Sequence, residues 1–80
     1  MFNLSDTIVL VRTTILGLIY ADLALEAGHT GYLSCEYVWY EVQFFEVNTN
    51  KFLCTTGVPV NVYCGNAVVL EGNGTDGYMC

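Results

Sequence analysis

The chain has 80 residues, of which 54% are hydrophobic; eight acids against two bases, Arg12 and Lys51, set its net charge at −6. That balance argues against nucleic acid as a partner, because phosphate binding needs clustered Lys and Arg, and it disfavours an anionic membrane surface for the same reason. A chain this short forms one domain, 1–80, with a thin core, and a surface this poor in charge suits burial against copies of itself, a partner or a membrane.

Residues 4–27 read as an apolar helix. Ser5 or Asp6 can cap its start, and Leu4, Ile8, Val11, Ile15, Leu18 and Leu25 recur at a 3-4 spacing. Gly28 is a natural stop. Against this, Thr7, Ile8, Val9, Val11, Thr13, Thr14, Ile15 and Ile19 are β-branched, which lowers helix propensity. A strand over 7–16 is the alternative, and it could be donated to a neighbour's sheet. Val9, Leu10, Leu16 and Leu23 lie off the main stripe, so the helix would be apolar nearly all round and buried in a core or an assembly. Arg12, Thr13, Thr14 and Asp22 interrupt residues 8–25, so a membrane span is not expected. Asp6 ahead of the apolar run and Arg12 inside it are the wrong order for a secretory signal. The expected assembly interface is therefore Ile8, Val11, Ile15, Leu16 and Ile19.

Residues 31–71 read as an antiparallel β meander. Residues 32–47 are rich in Tyr, Val, Trp and Phe, and Glu36, Glu41 and Glu46 recur every five residues. Bulges near 39/40 and 44/45 would keep all three carboxylates on the solvent face of one curved strand, with Tyr37, Trp39, Tyr40 and Phe44 facing the core. A break into two strands near 39–41 is the alternative. Asn48-Thr49-Asn50 is a turn, followed by a strand over 51–56 and a turn at Gly57. Val58, Val60, Val62 and Cys64 alternate with Pro59, Asn61 and Tyr63, a half-buried strand with Pro59 at its start or on an edge. Gly65-Asn66 is a hairpin signal leading into a last strand over 67–71. Residues 72–80 are a tail: 72–77 form a flexible loop, and Tyr78-Met79-Cys80 could dock back. The expected class is α+β, an N-terminal apolar helix packed on a curved antiparallel sheet of about four strands.

Cys35, Cys54, Cys64 and Cys80 are candidate disulfides; none forms a C-x-x-C pair, and three full pairings are open. Their even number and the scarcity of charge favour an oxidising setting, extracellular or on a virion surface, with free buried thiols the alternative. With His29 the sole histidine, a zinc site has little support, and no metal or cofactor is expected. His29 and Cys35 are the one conceivable base–nucleophile pair, but no third group is in view. The three Glu residues read better as a solvated face than as catalytic carboxylates. Asn73, Thr75 and Asp76 offer oxygens for calcium, yet the loop occurs once and reads as a plain loop. Asn3-Leu4-Ser5 and Asn73-Gly74-Thr75 are glycosylation sequons, so Asn73 and Asn3 are candidate acceptors in a secreted chain.

These features point away from an enzyme and toward a structural subunit that self-assembles into an extracellular filament, pilus-like fibre or capsid-type particle, with copies of itself as partner. An apolar helix followed by a small cysteine-bearing sheet resembles the type IV pilins in outline. The chain lacks their signal cleavage pattern and the glutamate near the start of the apolar helix, so the resemblance carries no residue over. The alternative is a small acidic phage or viral inhibitor or adaptor that binds a host protein.

Overall fold

The computed structural model describes residues 1–31, 38–57, 60–62 and 68–80, with backbone alone at 38, 61 and 62. Among these residues there is no helix. They form β1 (Phe2–Ser5), β2 (Val9–Ile15), β3 (Leu18–Leu25), β4 (Val38–Glu46), β5 (Phe52–Thr55), β6 (Val60–Val62), β7 (Val69–Asn73) and β8 (Gly77–Met79). The α+β expectation is thus overturned: the stretch expected as one helix over 4–27 is the end of one strand and a complete hairpin.

The physical reason lies in residues 9–18. Along β2, Val9, Val11 and Thr13 are fully buried while Leu10 and Arg12 are only partly so, a period of two rather than 3.6. The β-branched run favours this pleated, half-buried surface. At its end Leu16 and Gly17 adopt positive φ of 52° and 80°. Positive φ at both central residues makes a two-residue hairpin turn whose twist matches the flanking strands. β3 then returns antiparallel, with Val9 opposite Leu25 and Thr13 opposite Ala21. The register steps past Tyr20, since Thr14 faces Ile19. The Tyr20 ring packs on that of Tyr40, centroids 5.1 Å apart.

The larger sheet runs β3-β2-β4-β5, with β6 also paired to β4. β4 is one unbroken strand that changes partners: Val38 to Tyr40 pair with β6, and Glu41 to Glu46 pair with β2. The expected bulge near 39/40 is not there, so Trp39 points away from Tyr40 and stands exposed instead of facing the core. Tyr40 and Phe44 do face the core. An irregularity does fall at Phe44/Phe45, but in the pairing with β5, where the register steps past Leu53. Glu41 therefore lies on the outer face, and Glu46 closes the turn at the strand end. Glu36 and Tyr37, and the Gly65-Asn66 hairpin signal, lie outside the described residues.

The smaller sheet runs β1-β7-β8. β1 and β7 are parallel, Phe2 opposite Val69, whereas the meander reading held only antiparallel pairs. The stretch expected as a loose loop over 72–77 is the turn of the β7–β8 hairpin. The Asn73 Oδ1 accepts the amides of Thr75 and Asp76 at 2.8 and 2.7 Å. Gly72 permits this close hairpin: it has φ +116°, and a Cβ there would lie 2.1 Å from the Gly77 carbonyl oxygen. The tail docks back, as the sequence allowed. Tyr78 donates its hydroxyl to Asp6 at 2.9 Å, and Cys80 is disulfide-bonded to Cys54. Burial and the Asp6 carboxylate hold the Tyr78 phenol above its usual pKa.

The core joins the two sheets. Met1 and Leu70 from the smaller sheet's side pack with Val9, Val11, Leu25, Tyr40, Val42 and Phe44 of the larger. Burying each such side chain stabilises by about 1.5–3 kcal/mol. One polar residue is built into this layer. Asn3 has no exposed surface; its amide donates to the carbonyls of Thr7 (2.8 Å) and Leu25 (2.9 Å) while its oxygen accepts from the Ser5 amide at 3.1 Å and hydroxyl at 2.5 Å. It thereby ties β1, the chain ahead of β2 and the end of β3 together.

Candidate functional site at the β2–β3 hairpin

The β2–β3 turn projects apolar side chains into solvent. Leu16 is 98% exposed, Leu18 75%, Ile19 60% and nearby Trp39 58%. Beside them lies a groove of about 450 Å³, lined by Thr14, Ile15, Leu16, Gly17, Trp39 and Glu41. Two strands and a turn place these groups. Antiparallel pairing sets Thr14 opposite Glu41, and pleating puts Trp39 on the same outer face two residues before it. The Glu41 carboxylate is braced by the hydroxyls of Thr55 at 2.9 Å and Thr14 at 3.5 Å.

Leu16 is costly twice over. A left-handed backbone costs a non-glycine residue roughly 1–2 kcal/mol, and a wholly exposed leucine gains nothing from burial. The turn geometry favours Asn, Asp or Gly at this place. Residues held in such strained conformations cluster at functional sites.

On the outer face of β2 and β3 one charge pair is neutralised in place. The Arg12 guanidinium donates to both Asp22 oxygens, at 3.0 and 3.1 Å, and lies 5.4 Å from the Phe45 ring centroid. The hydrogen bonds to Asp22 hold Arg12 above its usual pKa. Phe45 meets Phe52 edge to face, centroids 5.8 Å apart.

Of the residues expected at an assembly interface, the hairpin brings Ile15, Leu16 and Ile19 together at the turn. Ile8 is exposed at the other end of β2, and Val11 is fully buried in the core. Leu18, Trp39 and Glu41 belong to the same surface and were not singled out for it from sequence. Their signal was a glycine inside an apolar β-branched run, which marks a turn rather than a helix interior.

The other candidates are scattered. Cys54 and Cys80 form a disulfide, while Cys35 and Cys64 lie outside the described residues. The His29 Nδ1 sits 3.3 Å from Glu26 on the surface. Among the described residues no group of three or more His, Cys, Asp or Glu could hold a metal ion. Asn3 spends both amide hydrogens inside the fold, so a glycan there is incompatible with it. Asn73 is half-buried in the β7–β8 turn, its amide 3.1 Å from Asp76. Among the described residues no helix is long and apolar enough to cross a membrane.

Comparison with known protein families, curated proteins and solved structures yields no match.

Proposed function

We propose that this chain is a non-enzymatic structural subunit that assembles with copies of itself, in an oxidising setting outside the cell or on a virion, into a filament or shell. The observation that carries the reading is the hairpin turn, with Leu16, Leu18, Ile19 and Trp39 exposed together. Clustered exposed apolar groups mark an interaction surface. Charge supports a partner of the same kind. The chain is at −6, yet Arg12 and Asp22 cancel within the hairpin. This is where like-charged copies can approach with least repulsion. The Cys54–Cys80 disulfide suits an oxidising compartment.

Light scattering on purified chain at micromolar concentration, with electron microscopy of the same sample, is the test. Ordered particles well above the monomer mass are expected. A clean monomer throughout would sink the proposal, and recovery of one stoichiometric host protein from a lysate by such a monomer would favour an inhibitor or adaptor.

A further inference from the structure

We propose that the seam is isologous: two copies meet turn to turn about a twofold axis, each seating its Leu16 side chain in the groove beside the other's Trp39. This rests on the self-assembly reading and names its partner as a second copy of this chain.

The turn carries both halves of such a contact. The knob is Leu16, and the socket formed by Ile15, Gly17, Trp39 and Glu41 opens directly next to it. A surface that holds a projection and a recess side by side is completed by its own image under twofold rotation, each residue meeting the other's counterpart. Charge supports the pairing. Residues 13–21 contain no Asp, Glu, Lys, Arg or His, in a chain whose net charge is −6. Two copies brought together here add only one carboxylate each, Glu41, on the groove wall. That carboxylate also favours a protein over a lipid bilayer. A protein partner brings backbone N–H donors, whereas acyl chains bring none and leave a buried charge uncompensated. A twofold contact closes after two copies. The building block is then a dimer, and any filament or shell grows through a second, different contact.

Trp39 is the sole tryptophan, so its emission reports the socket directly. Wild-type emission should shift to the blue as concentration rises, with the same midpoint as the doubling of mass. Leu16→Asn is the decisive variant. Asn tolerates the left-handed turn, so at dilutions where both chains are monomeric the variant should unfold at a higher temperature than wild type. Its association should nevertheless weaken on the order of a hundredfold, since each dimer loses two buried leucines. Opposite effects on stability and association are what a knob at a strained turn requires.

Assembly with Leu16→Asn unaffected would overturn the twofold seam while leaving self-assembly standing. Wild type that stays monomeric would remove both. Loss of monomer stability in Leu16→Asn would assign Leu16 to the fold and overturn the seam. A Trp39 shift that appears only with phosphatidylcholine vesicles, without a rise in protein mass, would overturn it in favour of a bilayer.

Discussion

Two buried polar residues show how the same rule yields opposite outcomes. Asn3 uses its amide and its oxygen fully, so its burial is compensated. Replacing it with leucine would fill much of the same volume and leave the Thr7 and Leu25 carbonyls and the Ser5 amide without those partners. Each orphan costs about 1–3 kcal/mol. Asn3→Leu should therefore lose at least about 3 kcal/mol in urea denaturation, a large share of the roughly 5–15 kcal/mol that holds a typical domain. A loss under about 1 kcal/mol would mean that water replaces the amide. The Tyr40 hydroxyl is the contrary case: buried, with no hydrogen-bond partner among the described residues. The core keeps this side chain for its ring, at a cost in desolvation. The place of Tyr40 in the core was legible in sequence; the role of Asn3 was not. Asn3 read as a glycosylation acceptor because a sequon records residue types, not burial.

The turn between β4 and β5 shows an element held by one carboxylate. Glu46 accepts the Thr49 hydroxyl at 2.6 Å and the amides of Thr49 and Asn48 at 2.8 and 3.2 Å. The Thr49 hydroxyl, followed by the Asn48 amide, holds the Glu46 carboxyl below its usual pKa. A carboxyl with a depressed folded pKa contributes stability above its unfolded value and loses it as pH falls through the folded one. Amide protection in residues 47–50, taken relative to the intrinsic exchange rate at each pH, should thus fall below about pH 4.5. In Glu46→Gln protection there should be reduced already at neutral pH and show no such acid step. An unchanged acid step in the variant would assign it to another carboxyl. This turn was legible, because Asn50 sits at φ 57°, a conformation Asn tolerates. The N-terminal hairpin was not. Its residues 8, 11, 15 and 18 satisfy a helical spacing, and a Leu-Gly turn is a weaker signal than Asn-Gly. The propensity of the β-branched run outweighed the periodicity, as the strand alternative over 7–16 anticipated. The bulges expected in residues 32–47 assumed that all three Glu share a face. In fact Glu46, the last residue of β4, turns its carboxylate to the following turn.

At the scale of the whole molecule, the two sheets are joined, among the described residues, by a thin core and one covalent clip. Cys54 and Cys80 are 26 residues apart and bridge β5 to the residue after β8. Closing a loop of that order stabilises by about 3 kcal/mol, chiefly by restricting the unfolded chain. The double variant Cys54→Ser, Cys80→Ser should lose about that much in reversible thermal unfolding. An unchanged midpoint would show that the tail is held by its other contacts, including Tyr78 on Asp6. Sequence made all four cysteines candidates but could not choose among three pairings, because the choice depends on which strands the topology sets side by side. That topology also gives the fold a direction in time. β1 pairs in parallel with β7, Phe2 beside Val69. A parallel partner cannot arrive through a tight turn. On the ribosome β1 cannot pair with β7 until Val69–Asn73 has emerged, whereas the β2–β3 hairpin can close on its own early. The apolar turn is thus presented to neighbouring nascent chains before the fold behind it is complete. Dense polysomes would bring those chains close together.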